Sequence, residues 1–356
     1  MRVAAVVVTF NRKALLVECL EALARQTHPL ERVLVVDNAS TDGTREAVEE
    51  AGLAGPLPLE YLRLSRNGGG AEGFHYGVRE AARGDADWLW LMDDDCEPDD
   101  DALERLLDAP SASDPGTVAL VGAVRLPGGD PLPMHRGWIT RRPFRAPISA
   151  LPADAYQAAE AACDFASFVG PLFRASAVRA AGPPLREAFI RFEDLEYSAR
   201  MRSEGAMRFV PASVIRHKEG VPVTSTDLRT LWRDFSISAR FGDQWKNVYG
   251  LRNVIHAGRS HGFVGAGGAL SYAAVQVARA LAFDERKLLT ARLVATYAYD
   301  GWRGVFRNVP PGRWPDLPEA SRPLAYLNRE SLRYDRDVAE PVTRLDGPGA
   351  PPTPAA

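Results

Sequence analysis

Three consecutive aspartates, Asp93, Asp94 and Asp95, are the residues whose type and spacing point most directly to chemistry. They follow the apolar run Trp88–Met92, which has the composition of a buried strand. Adjacent carboxylates repel one another, so they need a cation or hydrogen-bond donors nearby. Oxygen ligands suit a hard ion such as Mg²⁺ or Mn²⁺, which often binds the phosphates of a substrate at the same time. From the triplet alone, a solvated acidic turn that caps a helix near Pro98 is the alternative.

Two further segments place polar or glycine residues at predicted strand ends. Asp37 follows the predicted strand Arg32–Val36. A carboxylate there either accepts hydrogen bonds from a nucleobase or ribose, or closes a turn on its own backbone, and the turn is the better interpretation of Asp37 alone. Asn67–Gly73 contains four glycines, whose bare backbone can approach a diphosphate at a helix N-terminus. A lone glycine run is a weak signal.

The elements that position these residues alternate between strand and helix. The β-branched run Val3–Val8 is typical of a strand buried on both faces, and predicted strands follow at Arg32–Val36, Glu60–Leu64 and Trp88–Met92. Successive βα units indicate an α/β fold with a mostly parallel sheet, whose ligands bind beyond the carboxyl ends of the strands. The unusual polar motifs all lie at that edge.

The second half of the chain is less regular. The stretch from Arg125 to about Pro152 is rich in proline, glycine and arginine, which indicates a long functional loop. From Asp227 onward the pattern is helical. We therefore expect three parts, which are an α/β domain over residues 1–225, a helical C-terminal region over 226–339, and a disordered proline-rich tail over 340–356.

Composition narrows the class of protein. The 356 residues suffice for one large domain and a smaller region, and the net charge of −3 gives no overall attraction to nucleic acid. The three cysteines lie far apart and cannot all pair within the chain, which favours a reduced cytoplasmic compartment. The apolar run at the N-terminus is too short for an export signal.

Four motifs together resemble those of family 2 glycosyltransferases in order and spacing. They are Val7-Val-Thr-Phe-Asn-Arg12, Val35-Val-Asp-Asn-Ala-Ser-Thr-Asp-Gly43, Asn67-Gly-Gly-Gly-Ala71 and Leu91-Met-Asp-Asp-Asp95. The resemblance implies the GT-A fold, which is a Rossmann-like sheet with helices on both faces. It also implies a nucleotide-sugar donor, either a UDP-sugar or a dTDP-sugar, and Mn²⁺ or Mg²⁺ as cofactor.

The resemblance also implies roles for individual residues. Asp37 would contact the base, and Asp94 would face the ribose or the sugar. Asp93 and Asp95 would face the metal ion and the diphosphate, as the outer aspartates of a D-x-D motif. The full set of implied donor-binding residues is Thr9, Asp37, Arg66, Asn67, Gly68, Gly69 and Asp94.

Further roles follow from two segments of the second half. Phe192-Glu-Asp-Leu-Glu196 is similar to the acidic motif of the family, in which Asp194 would be the general base and Glu193 would contact the acceptor. A base is needed because a sugar hydroxyl is a poor nucleophile until its proton is removed. Without the upstream motifs, Glu193 and Asp194 would be read as a helix cap. His217 stands where related enzymes place a third metal ligand.

Within the family, the motifs most resemble those of bacterial galactofuranosyltransferases that act on polyprenyl-diphosphate-linked glycans. Rhamnosyltransferases, which use dTDP-rhamnose, are close behind. Glu72 stands where the first group more often has glycine, and the acidic motif is Glu-Asp instead of Asp-Asp. The expected function is inverting, metal-dependent transfer of galactofuranose to a cell-envelope glycan. The alternatives are a rhamnosyltransferase, a nucleotidyltransferase, which would release pyrophosphate, and a non-catalytic glycan-binding relative.

The helical region raises the question of a membrane. Phe263–Phe283 has the length of a span, but Gln276 and Arg279 argue against insertion and favour a packed helix. Basic residues that include Arg252, together with Trp245, would suit peripheral contact with the cytoplasmic face of an anionic membrane. The alternative is that these arginines form an ordinary solvated face.

Overall fold

The structure is a computed structural model that describes residues 1–141, 147–220, 240–317 and 323–345. The expected domain boundary at residues 225 and 226 lies outside the described residues, as does the end of the expected tail, 346–356.

Strands and helices alternate through the first hundred residues, as the sequence predicts. The strands are β1 (Val3–Thr9), β2 (Arg32–Asp37), β3 (Leu59–Arg63), β4 (Trp88–Asp93), β5 (Cys96–Pro98), β6 (Thr117–Arg125), β7 (Arg136–Ile139), β8 (Ile148–Ala150), β9 (Ala161–Cys163), β10 (Phe165–Ala166), β11 (Pro171–Arg174), β12 (Ala206–His217) and β13 (Thr343–Arg344). The α-helices are α1 (Lys13–Ala24), α2 (Thr44–Glu50), α3 (Gly70–Ala81), α4 (Ala102–Leu107), α5 (Ala175–Ala181), α6 (Glu193–Glu204), α7 (Gln244–Ser260), α8 (Ala266–Phe283), α9 (Lys287–Arg303) and α10 (Pro323–Glu330).

The central sheet has the order β13-β3-β2-β1-β4-β11-β6-β12-β5, with β9 paired to β12. Its β3-β2-β1-β4 part is parallel, and β11 runs antiparallel between β4 and β6. In this register Thr9 lies beside Asp37, and Val8 lies beside Asp93. The carboxyl ends of β1, β2 and β4 therefore meet at one edge, which confirms the predicted α/β architecture.

Strand β1 is buried along its whole length because helices cover both faces of the sheet. Val3, Ala5 and Val7 belong to the core beneath α1, and Val6 and Val8 belong to the core beneath α3. A continuous β-branched run suits this position, since both of its faces meet apolar neighbours.

Helix α3 approaches β1 closely through two glycines. A Cβ atom on Gly77 would lie 2.4 Å from Val6 Cγ1, and one on Gly73 would lie 2.5 Å from Val8 Cγ1. The close contact brings the N-terminus of α3, with the glycine turn Asn67–Gly70, over the end of β1.

The C-terminal helices have a core of their own and also pack on α6. Tyr249, Tyr297 and Trp314 are fully buried in the first core. Val254 of α7 packs with Leu195 of α6 in a second cluster. Helix α7 therefore reaches the helix that begins with Glu193 and Asp194.

Two expectations about irregular segments need correction. The stretch expected to be a loop contains β7 and β8, which form a three-stranded sheet with β10. Strands of three and four residues give too little periodicity to be recognised in sequence. The expected disordered tail is ordered at its start, because Thr343–Arg344 pairs with β3 and Leu345 is buried. This pairing satisfies backbone groups that an edge strand would otherwise expose.

Two residues of the helical region do not lie on the expected basic surface, whereas Arg259, Lys287 and Arg292 are exposed. Arg252 is fully buried, and Trp245 lines a cleft at the sheet edge. Across the described ranges, no helix combines the length and apolar character needed to cross a membrane.

The tight packing of α3 predicts that Gly77→Ala destabilises the protein. Alanine improves helix propensity, but its methyl group would overlap Val6, and overpacking of this kind costs about 1–3 kcal/mol. Gly84→Ala is the matched control, since its Cβ would have its nearest neighbour at 3.5 Å. Urea unfolding should show a loss of stability for Gly77→Ala only. Equal stability of the two variants would contradict the close approach.

Candidate active site

A cleft of about 410 Å³ opens at the edge where β1 and β4 end. The cleft is lined by the ends of these strands, by the glycine turn, and by segments near Phe189 and Trp245. The lining residues are Val8, Thr9, Phe10, Arg12, Asn38, Asn67, Gly69, Gly70, Asp93, Asp94, Asp95, Phe189, Ile190, Trp245, Lys246 and Pro311.

The acidic triplet forms the floor of the cleft, and only part of its charge is compensated. Thr9 Oγ1 donates a hydrogen bond of 2.7 Å to Asp94 Oδ2. Arg12 Nη1 lies 3.1 Å from Asp94 Oδ1 and 3.2 Å from Asp95 Oδ2. Burial raises the pKa of Asp94 to about 6 although Thr9 and Arg12 favour its charged form. Burial, followed by the charges of Asp95 and Asp94, raises the pKa of Asp93 well above its usual value.

His217 reaches the triplet because β12 pairs with β5, which places His217 beside Cys96. Its Nε2 atom lies 3.2 Å from Asp95 Oδ1. Burial opposes ionisation of Asp95, but the contacts with His217 and Arg12 outweigh it and lower the pKa of Asp95. Among the described residues, no group of three or more His, Cys, Asp or Glu side chains is arranged to hold a metal ion. The metal site therefore stays a prediction.

Asp37 lies beneath the cleft, and its carboxylate is fully buried. Oδ1 accepts a hydrogen bond of 2.8 Å from the Ser40 backbone, and Oδ2 accepts one of 2.9 Å from Tyr61 and one of 2.6 Å from Arg63. The next residue, Asn38, lines the cleft instead. In this arrangement Asp37 shapes the turn after β2, and its contact with a base stays a prediction.

Contacts at Asn67 and Gly69 fix the shape of the glycine turn. Asn67 Oδ1 accepts a 2.8 Å hydrogen bond from Gly69 N. Gly69 has φ 83°, and a Cβ there would lie 2.0 Å from the carbonyl oxygen of Phe189. Glycine is required at this position by backbone conformation and by space. Asn67 and Gly69 line the cleft as predicted, whereas Gly68 lies above Glu72 and does not.

Glu72, which stands where similar galactofuranosyltransferases more often have glycine, points away from the cleft. It is fully buried, and its Oε1 atom accepts a hydrogen bond of 2.8 Å from Arg66 Nη2. Burial raises the pKa of Glu72 although Arg66 favours its charged form. Glu72 and Arg66 therefore support the turn from below, and neither is among the residues that line the cleft.

Glu193 and Asp194 begin α6, and Glu193 lies beside the glycine turn, but neither residue is among those that line the cleft. A Cβ on Gly70 would lie 3.5 Å from Glu193 Oε1, and the charge of Glu193 contributes to the raised pKa of Asp93. Burial, reinforced by the neighbouring charge of Asp194, raises the pKa of Glu193 to about 8. Burial also raises the pKa of Asp194, to about 6, although Asp194 Oδ1 accepts a 2.7 Å hydrogen bond from Leu195 N. Burial thus makes both carboxyls harder to ionise than ordinary ones, and Glu193 more so than Asp194.

Comparison with known proteins identifies the N-terminal part of the chain. Residues 4–168 match the model of the family described as glycosyl transferase family 2. These residues form a family 2 glycosyltransferase domain. The galactofuranosyltransferase GlfT1 of Mycolicibacterium smegmatis is 35% identical over 211 residues, which are 57% of this chain and 66% of that protein. GlfT1 of Mycobacterium tuberculosis is 37% identical over 207 residues, which are 56% of this chain and 64% of that protein.

The match spans slightly less than two thirds of the length of each of these relatives. Among solved structures, GalNAc-T7 with UDP, GalNAc and Mn²⁺ superposes with a TM-score of 0.50 and 15% identity, over 85% of this chain and 58% of that one. The fold is the predicted GT-A type, and the family inferred from the motifs is confirmed.

Several residues of the cleft lie outside the glycosyltransferase domain and were not predicted as site residues. Trp245, Lys246 and Pro311 come from the C-terminal helical region, and Phe189 and Ile190 precede the acidic motif. The Trp245 ring packs edge-on against Phe189, with 5.8 Å between the ring centroids. No local sequence pattern marks these residues, because only the packing of α7 against α6 brings them to the cleft.

The raised pKa of Glu193 predicts a pH-dependent stability. A carboxyl whose pKa is higher in the folded state stabilises the fold below its unfolded pKa, and this contribution is lost as pH rises through the folded value. Glu193→Gln should therefore gain stability relative to the wild type between about pH 5 and about pH 9. The gain should reach about 4–5 kcal/mol, since each pKa unit corresponds to about 1.4 kcal/mol.

Thermal unfolding across this pH range provides the measurement. Glu204→Gln, at the exposed end of the same helix, is the control and should follow the wild type. Parallel profiles for Glu193→Gln and the wild type would show that Glu193 is ionised at neutral pH.

Proposed function

We propose that the chain is an inverting, metal-dependent glycosyltransferase that moves galactofuranose from UDP-galactofuranose to a hydroxyl of a glycan. One observation carries the proposal, which is that the acidic triplet and the glycine turn line one cleft at the sheet edge and that Glu193 lies beside the same turn. The similarity to galactofuranosyltransferases supports this choice of sugar. A polyprenyl-diphosphate-linked acceptor, and peripheral contact with the cytoplasmic face of a membrane, belong to the same proposal.

The donor would lie across the glycine turn. Backbone N–H groups at the N-terminus of α3 favour a diphosphate, and the glycines leave room for it. Thr9 and Asp94, joined by their hydrogen bond, would hold the ribose or the sugar.

The residues near the triplet suit a divalent ion. Asp95 Oδ1 and His217 Nε2 are 3.2 Å apart and offer the oxygen and nitrogen donors that Mn²⁺ accepts. Arg12 contacts both Asp94 and Asp95. One guanidinium does not offset the charge of all the crowded carboxylates, so a further cation would be stabilised there. Asp93, Asp95 and His217 would hold the ion, with the diphosphate as a further ligand. When bound, it would stabilise the charge of the departing nucleoside diphosphate.

Asp194 would take the proton of the acceptor hydroxyl. Its pKa of about 6 keeps it ionised at neutral pH while leaving it more basic than an ordinary aspartate. Glu193, protonated under the same conditions, would donate a hydrogen bond to the acceptor. The oxygen of the deprotonated hydroxyl would attack the anomeric carbon on the face opposite the departing UDP. This direct displacement would invert the configuration of that carbon.

The proposed function is tested by a donor screen with Mn²⁺. Hydrolysis of UDP-galactofuranose, dTDP-rhamnose and UDP-hexopyranoses is measured without acceptor, and UDP-galactofuranose is expected to be cleaved fastest. The released product should be UDP, and chelation of the metal should abolish cleavage. Faster cleavage of dTDP-rhamnose would make the protein a rhamnosyltransferase. Release of pyrophosphate when UTP and a sugar 1-phosphate replace the nucleotide-sugar would instead identify a nucleotidyltransferase.

The role of Asp194 predicts that Asp194→Asn abolishes transfer. Loss of a general base lowers the rate by roughly 10²–10⁴-fold, while the dissociation constant for UDP should change little. Asp108→Asn, at an exposed position after α4, is the control and should keep wild-type turnover. Near-normal kcat in folded Asp194→Asn would remove Asp194 as the base.

A further inference from the structure

Arg252 and Asn253 are adjacent buried residues of α7. Their side chains donate hydrogen bonds to backbone carbonyl groups of the segment Glu187–Phe192. Arg252 is 0% exposed and Asn253 is 3% exposed. Both lie outside the glycosyltransferase domain, and neither lines the cleft. The segment they contact leads directly into Glu193 and Asp194.

The backbone of this segment has an unfavourable conformation. Phe189 has φ 67° and ψ −66°, and Ile190 N donates a 2.9 Å hydrogen bond to Ala188 O. This is a γ-turn with a positive central φ, which is rare and strained. Arg191 and Phe192 follow with φ 64° and 63°. Residues with side chains persist in such conformations only where their surroundings hold them.

Asn253 holds the segment through a single amide group. Its Nδ2 atom donates toward Ala188 O at 2.9 Å, Ile190 O at 3.1 Å and Arg191 O at 2.8 Å. Its Oδ1 atom accepts a 3.0 Å hydrogen bond from Arg252 Nε, which fixes the orientation of the amide.

Arg252 and Asn308 extend the same network. Arg252 Nη2 donates to Ala188 O at 2.9 Å, and Arg252 Nη1 donates to Asn308 Oδ1 at 2.7 Å. Asn308 Nδ2 in turn donates to Glu187 O at 2.8 Å. On the opposite side, Phe189 O accepts a 3.1 Å hydrogen bond from Ala71 N. The segment is thus fixed between the helical region and the N-terminus of α3.

We propose that Asn253 is a positioning residue that sets the orientation of the Glu193 and Asp194 carboxylates, an inference that rests on the proposed function. The three carbonyl groups converge on one amide only while Phe189 and Arg191 keep their positive φ. Without the amide the turn can relax toward negative φ, which rotates the start of α6. Donor binding should weaken less than turnover, because Asn253 does not contact the triplet, although Phe189 and Ile190 of the same segment line the cleft.

The experiment compares Asn253→Ala with Thr290→Val. Thr290 is buried in α9, and its hydroxyl donates a 3.0 Å hydrogen bond to Glu285 O, so its loss removes a buried hydrogen bond elsewhere. For Asn253→Ala we expect kcat to fall roughly tenfold or more, because small displacements of catalytic groups are costly. The dissociation constant for UDP should rise by a smaller factor than the factor by which kcat falls. The acidic limb of the pH–rate profile should also shift.

Hydrogen–deuterium exchange gives a readout that does not depend on activity. Amides of residues 189–195 should exchange faster in Asn253→Ala than in the wild type or in Thr290→Val. Asn253→Ser keeps one donor and replaces the alanine variant if that variant does not fold, with the same expected direction.

Unchanged kcat together with unchanged exchange in a folded variant overturns the inference, as does an equal loss of kcat in Thr290→Val. If the wild type cleaves no nucleotide-sugar, the proposed function fails. Faster exchange at residues 189–195 would then still show that Asn253 holds the segment, and unchanged exchange would refute it.

Discussion

Negative charge buried at the carboxyl edge of the sheet is the constraint on which the rest of the structure depends. Strand β4 ends in Asp93, and Asp94 and Asp95 follow with exposures of 3% and 5%. Two such charges about 4 Å apart repel by about 4 kcal/mol at an effective dielectric of about 20. The hydroxyl of Thr9 and the guanidinium of Arg12 are placed where they reduce this repulsion. Both groups depend on the parallel pairing of β1 with β4.

The second acidic pair is coupled to the first through Glu193. The charge of Glu193 contributes to the raised pKa of Asp93, and burial raises the pKa of Glu193 itself to about 8. Protonation of either group therefore lowers the electrostatic cost of ionising the other. Asp194 has the lower pKa of the second pair, about 6. For both members of this pair the largest cause of the raised pKa is burial.

The sequence predicts the strand ends that line the cleft, because the signals that mark them are local. A β-branched run followed by polar residues marks both a strand and its end, and parallel pairing then brings Thr9 and Asp93 to one edge. Asp37 shows the limit of such local signals, because an aspartate after a strand is equally typical of a buried turn residue. In the structure its carboxylate oxygens accept hydrogen bonds from Ser40 N and Tyr61. Arg252 shows another limit, because a basic residue in a helix is ordinarily exposed. Its burial depends on carbonyl groups some sixty residues away in sequence.

The strained segment before α6 connects the helical region to the cleft. Phe189, Arg191 and Phe192 each have a positive φ that costs about 1–3 kcal/mol. A net hydrogen bond contributes only about 1 kcal/mol, so the few bonds from Asn253 and its neighbours offset this cost only when all of them form together. The same helix places Trp245 on the wall of the cleft. The cleft is thus lined by both the glycosyltransferase domain and the helical region, and donors from α7 hold the segment that leads into the acidic pair.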